Sequence, residues 1–190
     1  ERMKKIQVQI GGTYVAKVIQ HGQDAEPALR AYRKARQHTT HHNLSALHEI
    51  ASEWQRNRFV ALMKWVEGTP LADLGGVLEL YCEELREPSV EAMLLRWLDA
   101  LCDALWQFHQ VGLVHGDVSP RNIIVQGGNV VLTDYDTVTD VGQPPRSHNA
   151  LYASEGIQNR AAVTASDDLF ALAAAFFHVL FERDPFAFGA

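Results

Sequence analysis

One hundred and ninety residues, 47% apolar and 21% charged, hold material for one sizeable core or two small lobes. Seventeen Lys and Arg stand against 23 Asp and Glu, a net charge of −6, and no basic run points to nucleic acid or an anionic membrane. Cys82 and Cys102 sit in helical text, which argues against a disulfide framework and for a reducing compartment. Nothing at the start reads as a signal peptide. The longest apolar run, Leu169 to Leu180, is interrupted by His178 and too short to span a bilayer. The expectation is a cytoplasmic protein, with that run as a buried core helix.

In chain order, Ile6-Gln7-Val8-Gln9-Ile10 alternates strictly and predicts a half-buried strand. Gly11-Gly12 is a two-residue hairpin signal, and Tyr14 to Ile19 is the returning strand. Pro27 suits the start of a helix, predicted over Ala28 to Gln37. Leu44 to Ile50 and Phe59 to Val66 predict two further strands, so residues 1–66 read as a small antiparallel sheet with one helix. Glu67-Gly68-Thr69-Pro70 breaks the pattern as a hinge, and residues 67–190 are mainly helical. Ser89 is a natural N-cap for a helix with Met93, Leu94, Trp97, Leu98, Leu101, Leu105 and Phe108 on one face, ending near Gly112. The aromatic stripe Trp97, Trp106, Phe108 reads as core packing. Ile123 to Val125 and Val130 to Leu132 flank a Gly127-Gly128-Asn129 hairpin, Gln143-Pro144-Pro145 marks a loop, and Asp168 to Phe181 is a closing helix. The class is α+β.

The chemistry concentrates between the long helix and the short hairpin, at His115-Gly116-Asp117-Val118-Ser119-Pro120-Arg121-Asn122, and just past the hairpin, at Thr133-Asp134-Tyr135-Asp136. An Asp, an Asn five residues on and an Asp beyond a hairpin can converge on one point. Oxygen ligands suit a hard cation such as Mg²⁺, which needs few protein ligands where phosphates supply the rest. Asp117 is then left to orient or deprotonate a hydroxyl. His38, His41 and His42 lack a fourth ligand at metal-site spacing and read as a turn.

These motifs resemble the protein kinase superfamily. His115 to Asn122 is similar to H-R-D-L-x-x-x-N, Asp134-Tyr135-Asp136 stands for D-F-G, and Tyr14-Val15-Ala16-Lys17 for V-A-I-K. Leu62 to Gly68 resembles the strand and hinge that hold adenine, Ala153-Ser154-Glu155 the A-P-E segment, and Ser166 to Leu172 the start of the central helix of the large lobe. The resemblance implies a bilobal kinase-like fold of the bacterial Ser/Thr type, with ATP as co-substrate and Mg²⁺. It implies that Lys17 grips the α- and β-phosphates, Asp117 steers the acceptor hydroxyl, and Asn122 and Asp134 hold metal. Met63 becomes the gatekeeper, the backbone of Lys64 and Val66 contacts the base, and Asp168 braces the catalytic loop. The expected acceptor is a Ser or Thr hydroxyl of an unidentified protein, the chain itself included.

Several positions depart from the family. Gly116 replaces the Arg that pairs with a phosphorylated segment, and Ser119 the Lys that steadies the γ-phosphate, for which Arg121 is the substitute cation. Asp136 replaces the Gly of D-F-G and adds a third carboxylate. The helix acid that should pair with Lys17 falls at Tyr32, leaving Glu26 as the upstream candidate. The glycine-rich loop would fall ahead of Glu1 and further large-lobe helices beyond Ala190, so the chain reads as a fragment or a short member. Two rival readings are a pseudokinase scaffold and, because H-G-D-x-x-P-x-N resembles aminoglycoside phosphotransferases, a small-molecule kinase.

Overall fold

A computed structural model of the chain describes residues 2–8, 12–20, 25–53 and 58–186. The first third is an antiparallel sheet of β1 (Arg2–Val8), β2 (Gly12–Gln20), β3 (Leu47–Glu53) and β4 (Arg58–Lys64), with α1 (Ala25–His38) packed on it. The strand order is β1-β2-β4-β3. Pairing of β2 with β4 sets Val15 opposite Met63 and Lys17 opposite Ala61. Opposed and alternate residues share a face, so these four side chains line one side of the sheet. α1 buries Ala28, Leu29, Ala31, Tyr32 and Ala35, and the Tyr32 ring meets Phe59 of β4 edge-on, 5.0 Å between centroids.

The first strand lies earlier than the alternation of Ile6 to Ile10 suggests, because its partner strand recruits Arg2 to Lys5. Ile10 and the first glycine of the hairpin signal lie outside the described residues. The third strand starts at Leu47 rather than Leu44. Residues 43–45 are drawn away from the sheet, where Leu44 forms a parallel bridge with Leu132 and Ser45 N–H donates to Leu132 O at 2.9 Å.

The remainder of the chain comprises β5 (Thr69–Pro70), α2 (Leu78–Glu84), α3 (Val90–Gln110), β6 (Leu113–Val114), β7 (Ile123–Gln126), β8 (Asn129–Leu132), β9 (Thr139–Asp140), α4 (Glu155–Gln158) and α5 (Ala165–Phe181). Ser89 caps α3 as the sequence predicts, its Oγ accepting from Ala92 N–H at 3.2 Å. Leu101, Leu105 and Phe108 of α3 pack into a core with Leu113, Ile123, Leu132 and Tyr135. α2 carries no signal strong enough to have been predicted.

Two core assignments need correction. Trp97 and Phe108 are buried, but Trp106 is 58% exposed. Trp97 and Phe108 are separated by about three whole turns, whereas Trp106 falls about half a turn off their face. α5 is likewise buried on one side only. Asp168, Ala171, Leu172, Ala175 and Val179 face inward, while Leu169, Phe170, Leu180 and Phe181 are exposed. Cys82 and Cys102 are free thiols on α2 and α3. Among the described residues no helix is long and apolar enough to cross a membrane.

Candidate active site

The loop between β6 and β7 is fixed from beneath. Asp168, in the first turn of α5 and 1% exposed, accepts from the backbone N–H groups of His115 at 2.8 Å and Gly116 at 2.9 Å. Its Oδ2 also meets His109 Nε2 at 2.9 Å. The bracing expected of Asp168 is thus realised by a buried carboxylate that fixes two successive amides. On the loop's other side Thr137 Oγ1 donates to His115 O at 2.8 Å. Gly116 has φ +79°, and a Cβ there would stand 3.2 Å from Thr137 O. Close approach of the two backbones explains why glycine stands where the family has arginine.

From this braced loop Asp117 and Asn122 project together. Asn122 Nδ2 donates to Asp117 Oδ2 at 2.8 Å and to Asp117 O at 2.9 Å. Burial pushes the Asp117 carboxyl above its ordinary range, with Asp134 and Asp136 adding repulsion, while His115 and the Asn122 hydrogen bond oppose the rise. Thr133 N–H donates to Asn122 O at 2.8 Å, tying the end of β8 to the loop. The next residue, Asp134, turns into the left-handed region at φ +67°, a conformation Asp tolerates better than most residues.

Lys17, 3% exposed, meets this group from the sheet. Its Nζ donates to Asp134 Oδ1 at 2.8 Å and Oδ2 at 3.0 Å, and it forms an ion pair with Asp136. Burial alone would depress the ammonium's pKa, but the facing carboxylates outweigh it and hold Lys17 above its usual value. Asp136 Oδ1 in turn accepts from Tyr32 Oη at 2.7 Å. Glu26 stands exposed in the first turn of α1 rather than beside Lys17.

Between sheet and loop lies a cavity of about 210 Å³. Val15, Met63, Val66 and Ile124 give it apolar walls, and Lys17, Asn122, Asp134 and the exposed Arg121 supply its polar edge. Met63 is buried in the cavity wall. The backbone at the rim is partly committed. Lys64 N–H donates to Ala46 O at 2.8 Å, and Lys64 O accepts from Ser45 Oγ at 2.9 Å, leaving that carbonyl one lone pair. No described residue accepts from the Val66 N–H. Beneath, the fully buried Tyr135 stacks on Phe108 at 5.6 Å and donates to Ser45 O at 2.6 Å.

The donor set fits a hard cation. The Asn122 amide nitrogen is spent on Asp117, so its oxygen remains, beside the Asp134 carboxylate. Among the described residues no group of three His, Cys, Asp or Glu could hold a metal, so a cation here would lean on phosphate oxygens as well. Sequence reasoning named Lys17, Asp117, Asn122 and Asp134; Lys17, Asn122 and Asp134 line one cavity, and Asp117 adjoins it through its hydrogen bond from Asn122. It counted Tyr32 as a missing acid and left Asp136 undecided. The signal for both was the conjunction of their two departures.

A sheet set against a helical body, with Lys17, Asn122 and Asp134 edging the cavity between them and Asp117 hydrogen-bonded to Asn122, is the architecture of a kinase-like fold. The chain belongs to the protein kinase domain family, whose sequence profile it matches over residues 3–189. It is 28% identical over 144 residues to the MAPK/MAK/MRK overlapping kinase of Mus musculus, covering 74% of this chain and 32% of that protein. To the serine/threonine-protein kinase PrkC of Bacillus subtilis it is 23% identical over 168 residues, 83% of this chain and 24% of the relative. The chain therefore spans about a third or less of these relatives. The Cydia pomonella granulovirus kinase PK-1 has a similar fold, with a TM-score of 0.70 at 19% identity, over 95% of this chain and 64% of that one.

Proposed function

We propose that this chain binds ATP with Mg²⁺ in the cleft and transfers the γ-phosphoryl group to a Ser or Thr hydroxyl of a protein. The observation that carries the reading is the convergence of Lys17, Asn122 and Asp134, from a strand, a braced loop and a hairpin end, on one cavity, with Asp117 held beside it by its hydrogen bond from Asn122. The apolar walls and the uncommitted Val66 N–H suit an adenine ring, and buried, charged Lys17 suits its α- and β-phosphates. Asn122 and Asp134 would hold Mg²⁺, which when bound neutralises charge on the transferring phosphate. Asp117 accepts a hydrogen bond from the acceptor hydroxyl and takes its proton as the new O–P bond forms and the bridging P–O bond to ADP breaks. The PrkC relationship favours Ser or Thr as the acceptor.

Calorimetry tests the binding half. Wild-type protein should bind ATP more tightly with Mg²⁺ than without, and Asp134→Asn should remove most of that difference. An Asp134→Asn protein with the full Mg²⁺ effect would contradict the assignment of Asp134.

A further inference from the structure

α1 offers Lys17 no acid on its buried face, where Tyr32 stands fully buried. The acid comes from the opposite side. Asp136 bridges two partners with its two oxygens, Oδ1 accepting from Tyr32 Oη at 2.7 Å and Oδ2 pairing with Lys17 Nζ. Burial, then the neighbouring Asp136 charge, drive the Tyr32 pKa well up, so the phenol stays a donor. A second tie joins the same helix to the same segment, with Lys34 Nζ donating to Asp140 Oδ1 at 2.7 Å. The left-handed turn falls on Asp134, so the backbone makes no demand for glycine at 136.

We propose that Asp136, oriented by Tyr32, is the positioning residue that aims Lys17 at the nucleotide phosphates. The inference rests on the reading of Lys17 as the phosphate-binding cation. Asp134 edges the cavity and Asp136 does not, so the two carboxylates facing Lys17 are not equivalent. A lysine held by Asp134 alone loses its partner whenever that carboxylate engages a cation. One held also by Asp136 keeps its place. Tyr32 and Asp136 are then one substitution in two halves. The helix gives up its acid, the segment supplies one, and the phenol restores the link from helix to lysine.

A double-mutant cycle on nucleotide affinity tests this in the full-length protein, with ATP–Mg²⁺ titrated into wild type, Lys17→Met, Asp136→Ala and the double variant. The cycle cancels the direct effect of the Asp136 charge on the anionic nucleotide. Lys17→Met should weaken binding about tenfold in the wild-type background and less than about twofold where Asp136 is absent. Tyr32→Phe removes one hydroxyl and should reduce the Lys17→Met effect part of the way. An undiminished Lys17→Met effect in the Asp136→Ala or Tyr32→Phe background overturns the proposal and leaves Lys17 as a phosphate ligand. No effect of Lys17→Met in wild type overturns the reading of Lys17 itself. Thermal melts of each variant confirm that the compared proteins are folded.

Discussion

At the scale of single residues, the site depends on one carboxylate that touches no substrate. Asp168 occupies both loop amides, of His115 and Gly116, and faces His109. Replacing it by Ala would leave buried donors without an acceptor, each costing about 1–3 kcal/mol. Asp168→Ala should therefore lower stability by about 3 kcal/mol. It should also depress phosphotransfer, since Asp117 and Asn122 hang from the same loop. Chemical denaturation checks the first part. A midpoint equal to that of wild type would show that the loop is held by other means. Tyr32 shows the limit of reading residues one by one, because its sequence position marks only a missing acid. That its hydroxyl reaches Asp136 is a fact of tertiary structure, since 104 residues separate the pair.

At the scale of elements, the step from the sheet to the rest of the chain is anchored by a glycine. Gly68 has φ +155°, and a Cβ there would run into Val125 O and Ile124 Cγ2. That approach lets β5 pair with β7, Thr69 opposite Val125 and Pro70 opposite Ile124. Gly68→Ala should force the two strands apart and lower the melting temperature by several degrees, corresponding to about 1–3 kcal/mol. An unchanged melt would mean that residue 68 approaches β7 less closely. The elements with strong periodicity were legible in the sequence. α3 announced itself through Ser89 and a row of apolar residues, and β7 and β8 through the Gly127-Gly128-Asn129 turn. What periodicity alone missed was which apolar residues face out. Trp106 on α3 and Leu169 and Phe170 on α5 belong to helices apolar on more than one face, where composition fails to mark the side that the neighbours cover. The start of β3 was missed for a related reason. Leu44 looks like strand and does form a bridge, but with Leu132 of β8 rather than within its own sheet.

At the scale of the molecule, that bridge joins the sheet to the helical body. Asn43 Nδ2 donates to Val130 O at 2.6 Å, Ser45 N–H to Leu132 O, and Tyr135 Oη to Ser45 O. The residue between the two acids of Asp134-Tyr135-Asp136 thereby ties the Asp134 segment that follows β8 to the rim of the cavity. Tyr135→Phe keeps the buried ring on Phe108 and deletes the donor to Ser45 O, so it should cost about 1–2 kcal/mol while leaving the fold intact. Equal denaturation midpoints for the two proteins would argue that the hydroxyl contributes nothing to holding the parts together. The four residues of the proposed chemistry were visible as a collinear set of motifs. Their geometry was not, because it depends on this join.

The most direct test of the central claim is transfer of labelled γ-phosphate from ATP–Mg²⁺, with the full-length protein and generic protein acceptors. Wild type is compared with Asp117→Asn at matched nucleotide occupancy. The account predicts transfer by wild type and a loss of roughly 10²–10⁴-fold in Asp117→Asn, with ATP affinity nearly unchanged. Equal transfer by both proteins, or none by a wild type that binds ATP–Mg²⁺, would contradict it and favour a nucleotide-binding scaffold.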